Sequence, residues 1–235
     1  MGLKPDTPDW YVVSLLTHDA AAGSINLNAE RCYYLVAASD HERAYEKSAQ
    51  LSRQLQHKNF TGVEDLWLVH EPLADGAELL WSQLELTGQE LDKITLQSKE
   101  ESRAFREASL RKSSWYVGKV VLCEVHDEGS HGNQLLVWIN SYLIKASNAE
   151  IAFRTSLRIG RKQQDEPGSH RCDGEKAHWV FKGIEDVIPI HDSLHDGARL
   201  WCDQLEVTAA ELRSMVPDRS GLSVFKWAAE QAREE

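Results

Sequence analysis

Cysteine is scarce in this chain. There are four in 235 residues (Cys32, Cys123, Cys172 and Cys202), and no two are spaced as CxxC. That argues against a zinc ribbon and against the dense disulfide framework of a small secreted domain, so reduced thiols in a cytoplasmic protein are expected. No apolar run approaches the roughly 20 residues of a membrane-spanning helix. The opening Met1-Gly2-Leu3-Lys4-Pro5-Asp6 lacks the apolar core of a secretory signal, and Asp6 stands where a myristoylation signal wants Ser or Thr. Also missing are GxGxxG, the P-loop, the GxSxG elbow and HExxH, and with them the usual signatures of dinucleotide, nucleotide, acyl-transfer and helical zinc sites. Positive charge is short as well: 26 Lys and Arg stand against 37 Asp and Glu, a net −11. Such a surface repels phosphate backbones, so neither a nucleic-acid nor a membrane partner is expected. The deficit is uneven. Residues 1–105 hold 9 basic and 17 acidic side chains, and residues 106–235 hold 17 and 20. A basic protein partner would therefore be steered to the first half.

What the chain does have is repetition. Trp10-Tyr11-Val12 returns as Trp115-Tyr116-Val117, and the stretch FTGVEDLWLVHEPLADGAELLWSQLELTGQEL from Phe60 returns from Phe181 without a gap. A repeat of this length spans several supersecondary units, which implies a tandem duplication. The fold expected is α+β: two copies of a β-β-α-β-β-α module, residues 1–105 and 106–235, each an antiparallel sheet with a helix packed on one face. The copies would be related by a pseudo-twofold axis, giving either a monomer with dimer-like halves or a homodimer. Strand order is not readable from the pattern.

Each copy opens on a strand rich in aromatic and β-branched residues (WYVVSLL, WYVGKVVLCEV) and continues into a second (RCYYLVAA, LLVWINSYLIKA), predicting a hairpin. Ser39-x-x-Glu42 and Ser147-x-x-Glu150 fit capping boxes at the start of the long helix, as do Thr87-x-x-Glu90 and Thr208-x-x-Glu211 at a short one. Ala44, Tyr45, Ser48, Ala49 and Leu51, and likewise Ala152, Phe153, Ser156, Leu157 and Ile159, lay an apolar stripe toward a sheet. The second copy carries 13 extra residues in the polar segment around 164–178, read as a mobile loop. Residues 95–114 form a charged, partly helical joint, and the tail from Ser220 reads as an amphipathic helix with Leu222, Phe225 and Ala229 inward.

The repeated segment holds the candidate site residues: Glu64, Asp65, His70 and Asp75, and their counterparts Glu185, Asp186, His191 and Asp196. A carboxylate pair with a histidine is acid–base material. Yet Glu64 and His70 on a continuous strand lie roughly 20 Å apart, unless the strand bulges at Gly62 or after Asp65. Asp65 and Asp186 fall on an apolar face, where a carboxylate needs local backbone amides or a buried partner; the local amides are favoured. Asp75-Gly76 and Asp196-Gly197 read as hairpin turns. His191 and His195 are candidate metal ligands, but the first copy lacks the second histidine, so a solvated turn is preferred and no metal or cofactor is expected. His170, Cys172 and His178 match no ligand spacing. Trp10 and Trp115 are expected in the core or in packing between the modules, rather than as a binding platform.

The Trp-Tyr opening strand, the Ser-x-x-Glu helix start and the Phe-x-Gly-[Val/Ile]-x-Asp…Asp-Gly-Ala stretch resemble the bacterial domain-of-unknown-function family 4288, over residues 10–94 and again over 115–215. The second stretch departs from the first by its insertion and by Arg199 where the first has Glu78. The resemblance implies a fold and a bacterial source, and no catalytic residue. The leading expectation is a non-enzymatic interaction protein, an acidic inhibitor or immunity-type partner of a basic protein. Alternatives are a small-molecule or peptide binder using a cleft between the modules, and a metal-dependent hydrolase built on His191 and His195.

Overall fold

The computed structural model describes residues 8–19, 26–54, 59–107, 113–126, 134–165, 169–172 and 175–234. The elements in chain order are β1 (Asp9–His18), β2 (Asn26–Ala38), α1 (His41–Gln54), β3 (Asn59–Val69), β4 (Glu78–Leu86), α2 (Gly88–Ile94), α3 (Arg103–Glu107), β5 (Trp115–His126), β6 (Leu135–Lys145), α4 (Ala149–Gln163), β7 (His170–Cys172), β8 (Glu175–Ile190), β9 (Arg199–Thr208), α5 (Ala209–Ser214) and α6 (Ser223–Glu234). The class is α+β with antiparallel sheets.

The chain forms two compact units, and they cut across the sequence division at residue 105. Unit 1 is Met1–Pro72 with Asp192–Glu235, and unit 2 is Leu73–His191. Unit 1 has the sheet order β3-β1-β2-β9, and unit 2 has β4-β6-β5-β8-β7. The sheet built on each repeat therefore carries at one edge a strand from the other repeat: β2 pairs with β9, and β6 with β4. The predicted hairpins β1–β2 and β5–β6 form as antiparallel pairs. The predicted Asp-Gly hairpins do not, because β3 and β4 lie in different sheets, as do β8 and β9.

The turn residues show why. Gly76 and Gly197 do adopt the positive φ that favours glycine, +93° and +88°. The amides beside them, however, bond a new neighbour rather than the preceding strand. Gly76 N–H donates to the Leu143 carbonyl, and Leu143 N–H to that of Ala77. In unit 1, Gly197 N–H donates to the Leu35 carbonyl, and Leu35 N–H to that of Ala198. The side chains follow: Asp75 accepts from Lys145 N–H at 2.9 Å, and Asp196 from Ala37 N–H at 2.9 Å. Asp-Gly here opens the next pairing instead of closing a hairpin.

Strand alternation puts Tyr11, Val13 and Leu15 of β1 and Cys32, Tyr34 and Val36 of β2 on one face, where Ala44, Tyr45 and Leu51 of α1 and Val224 and Phe225 of α6 cover them together with Leu222. In unit 2, Tyr116, Val120 and Leu122 meet Ala149, Ala152, Phe153 and Leu157 of α4 and Phe105 of α3. Leu222 and Phe225 point inward as expected, while Ala229 is exposed. The joint after α2 contains a short 3₁₀ turn and α3; its residues 108–112 lie outside the described residues. The 164–178 segment is not simply a loop, since β7 pairs with the start of β8. The side chains of His170 and Cys172 lie outside the described residues.

The long helices cap one residue later than the Ser-x-x-Glu pattern suggests. Asp40 Oδ1 accepts from Arg43 N–H at 2.8 Å, and Asn148 Oδ1 from Ile151 N–H at 2.9 Å. Glu42 and Glu150, freed from capping, pair with Arg219 and Lys99. Asp and Asn outrank or match Ser as caps, and a carboxylate beside helix amides gains from the dipole. The short helices carry both capping boxes as read, at Thr87/Glu90 and Thr208/Glu211. Accordingly, Asn148→Ala should lower stability by about 1 kcal/mol, and Asp40→Ala should also lower the urea midpoint. Ser147→Ala should leave it in place. A midpoint that moves with Ser147 and not with Asn148 would restore the Ser cap.

Candidate functional site

The repeated Glu lies on a bulge. Ser14 pairs with Asp65 and Leu15 with Val63, so Glu64 is the extra residue; Lys119 pairs with Asp186 and Val120 with Ile184, so Glu185 is extra in the same way. A second irregularity follows each, beside Gly62 and Gly183. The bulge lets Glu64 turn to its neighbours: Ser14 Oγ donates to Oε2 at 2.6 Å, and Arg31 pairs with Oε1 at 2.5 Å. Burial is the largest single influence and works against the Arg31 charge, but the Glu64 hydrogen bond together with the nearby Tyr33, Glu64 and Asp203 charges outweighs it, and the guanidinium pKa stands above its ordinary value. Beside this pair Tyr33 stacks on Trp201 with ring centroids 4.0 Å apart, and Trp67 lies 6.2 Å from Tyr33. In unit 2, Glu185 faces Lys119 at 3.4 Å.

Asp65 and Asp186 do the same job in their units. Asp65 Oδ1 accepts from Leu66 N–H at 2.7 Å and Ser223 N–H at 2.6 Å, and Oδ2 from Ser223 Oγ at 2.5 Å. Asp186 Oδ1 accepts from Val187 N–H and Arg103 N–H, both at 2.8 Å, and Oδ2 meets Arg103 Nε at 2.9 Å. Each acid thus has the local amide that was favoured and a partner at the first residue of a helix, α6 or α3. Burial pushes both carboxyls above their ordinary pKa, against the pull of these donors. They anchor helices.

The remaining candidates are spread out. His70 sits edge-on to Trp227 at 5.4 Å, and His191 Nε2 meets Glu107 at 3.1 Å. Asp196 takes a 2.7 Å ion pair from Lys47 besides the Ala37 amide, and these hold its pKa below the ordinary value although burial alone would raise it. His195 Nδ1 lies 2.9 Å from the Asp196 carbonyl, on an open groove of about 260 Å³ that Lys47, Gln50 and Gly197 also line. No described hydrogen bond joins Glu64, Asp65, His70 and Asp196 in unit 1, or Asp75, Glu185, Asp186 and His191 in unit 2. His191 and His195 fall in different units. Purified protein should hold no stoichiometric zinc, iron or manganese, and a chelator should leave its Tm unchanged, because removing a structural ion costs many kcal/mol. About one metal per chain, lost in His191→Ala, would reverse this.

Sequence reasoning missed a disulfide. Cys32 and Cys202 face each other across β2 and β9 with Cα atoms 4.0 Å apart, and their sulfurs are bonded. Their reduced state, expected from composition, is corrected. Glu30 is close enough to make Glu30, Cys32 and Cys202 the one group of potential metal ligands among the described residues, but the bonded sulfurs are not thiolates. No local signal in the sequence marks the pair, 170 residues apart. Their opposition follows only from β9 lying beside β2; the matching place in unit 2 sets Asn140 against Trp81. There Trp81, Trp138 and Trp179 form an aromatic row, with centroid spacings of 5.4 and 4.4 Å.

The stretch from β5 into β9 compares with a known family. Residues 115–202 match the model of DUF4288, a domain of unknown function. The match covers a single copy, from the start of β5 to the first residues of β9, the strand that unit 1 takes up. No curated protein and no solved structure matches the chain. The DUF4288 match thus brings a fold comparison and no activity, and the Asp186 and Glu185 positions within it are those the geometry assigns to holding helix and strand.

Proposed function

We propose that this chain is a non-enzymatic bacterial interaction protein, an acidic, cytoplasmic inhibitor or immunity-type binder of a basic protein, built by tandem duplication of a DUF4288-like module with pseudo-twofold halves. The observation that carries the reading is the charge of unit 1. With the segments reassigned, unit 1 holds 11 basic and 19 acidic side chains, against 15 and 18 in unit 2. The concentration of negative charge survives the exchange of segments, and charge of one sign steers an oppositely charged partner. The repeated carboxylates support the same reading from the other side. Glu64, Asp65, Asp186 and Asp196 are occupied by intramolecular partners. The two serine hydroxyls among these are Ser14, which is fully buried, and Ser223, whose own N–H binds the same carboxylate, and such contacts support structural roles over acid–base ones.

Affinity purification from the source cell, followed by a binding titration with the recovered partner, tests this. The partner should be basic, and its affinity should fall steeply with salt. Neutralising exposed acids of unit 1 (Glu46→Gln, Glu206→Gln, Glu230→Gln) should slow association while leaving stability unchanged. A partner of acidic pI, or binding indifferent to salt, would end the proposal.

A further inference from the structure

β9 is an edge strand. It bonds β2 on one side, and it is the first element of the segment Asp192–Glu235 that unit 1 receives from the far end of the chain. That segment brings Leu200, Trp201, Leu212, Leu222 and Val224 into burial, and Ser223 to Asp65. The one covalent link between it and residues 1–72 among the described residues is Cys32–Cys202, in mid-ladder, where β2 and β9 pair from Asn26/Thr208 to Tyr34/Arg199. Unit 2 receives β4 in the same way with no such link, since Trp81 and Asn140 stand at the matching place. Only one of two like joints is bolted.

We infer that Cys32–Cys202 is a reversible thiol–disulfide site whose reduction by a dithiol unlocks the β9–α6 segment from the rest of unit 1. The exchange balances simply. One thiolate of the dithiol attacks Cys202 Sγ, on the more exposed of the two residues, as Cys32 is 4% exposed and Cys202 partly so. The S–S bond breaks, and the electron pair leaves on Cys32. The second dithiol sulfur then attacks the mixed disulfide and expels Cys202. Two electrons pass from the dithiol, which becomes a cyclic disulfide, and its two protons end on the cysteines. Cutting a crosslink that closes a long loop frees the entropy of the opened segment. The segment then opens locally while the ladder and its buried side chains still hold it most of the time.

Hydrogen exchange on the full chain, oxidised and after dithiothreitol, tests this. Amides of β9 and α5 should exchange roughly tenfold faster or more after reduction, while those of β4 and β6, the joint without a bolt, keep their rates. Peptide mapping without reductant should recover a linked Cys32–Cys202 pair from the oxidised protein. A Cys123→Ser/Cys172→Ser background should titrate no thiol before reduction and two after. A Cys202→Ser variant should exchange at the reduced rate with or without dithiothreitol. Absence of the linked peptide after oxidation, or β9 rates that ignore dithiothreitol in the wild-type chain, would overturn the inference.

Discussion

Asp65→Ala is expected to lower the free energy of unfolding by about 3 kcal/mol, and Asp65→Asn by far less. The alanine strips an acceptor from Leu66 N–H, Ser223 N–H and Ser223 Oγ together, and donors left unpaired in a half-buried place cost more than a hydrogen bond is worth on average. The amide oxygen of asparagine still serves both backbone donors, and the Ser223 hydroxyl can rotate to accept from its nitrogen. The dependence on pH separates the two variants further. Burial raises the folded-state pKa of Asp65 above the ordinary 3.8, so the native state holds the proton more tightly than the unfolded chain. The contribution of this acid is complete below the ordinary pKa and is lost as pH rises through the folded value. Asparagine does not titrate. The stability of Asp65→Asn relative to wild type should therefore improve as pH climbs from below the ordinary carboxyl value through the raised folded one. Asp186→Asn should follow the same course, for the same reason. Urea titrations across that range measure it. If asparagine proves as damaging as alanine at neutral pH, the carboxylate is needed as a charge, and an electrostatic role for Asp65 re-enters.

Most local structure was legible, and long-range pairing was not. The β1–β2 and β5–β6 hairpins, both Thr-x-x-Glu boxes and the irregularity around Gly62 follow from period, capping chemistry and a glycine in a strand, all of which act within a few residues. The Ser-x-x-Glu reading failed because Asp40 and Asn148 offer an equal or better acceptor one residue later, and spacing alone does not choose between adjacent caps. The Asp-Gly reading failed for another reason. Asp-Gly specifies a turn, but the direction in which the next strand is accepted depends on which edge is free, and here β2 and β6 present it. That single unreadable choice hid the Cys32–Cys202 bond and the division into units. The candidate site fared alike: for Asp65 and Asp186 the sequence favours local backbone amides over a buried partner, and the Leu66 and Val187 amides are there, while the further partners, Ser223 and Arg103, lie 158 and 83 residues away.

Gly183→Ala is expected to cost about 3 kcal/mol, and Gly62→Ala about half of that. These are the glycines of the repeated Phe-x-Gly, and both are approached by the segment that follows a short helix. A Cβ at Gly62 would stand 2.4 Å from Val216 Cγ1, and one at Gly183 would stand 2.4 Å from Thr95 Cγ2. Neither neighbour can yield cheaply. Valine has one stiff torsion, and Thr95 is held by its Oγ1 donating to the Leu91 carbonyl at 2.9 Å. Gly183 bears a second penalty, since its φ of +146° is one that alanine adopts only under strain. The two contributions come apart by second-site rescue. Val216→Ala removes the obstructing methyls and should restore most of what Gly62→Ala loses. Thr95→Ser removes Cγ2 yet keeps the hydroxyl bond, so in Gly183→Ala it should recover the steric part, about 1 to 2 kcal/mol, and leave the backbone strain. Thermal denaturation of the four single variants and the two pairs completes both cycles. Strictly additive effects in both would mean that these glycines serve the bulge alone and not the close approach of α5 and α2.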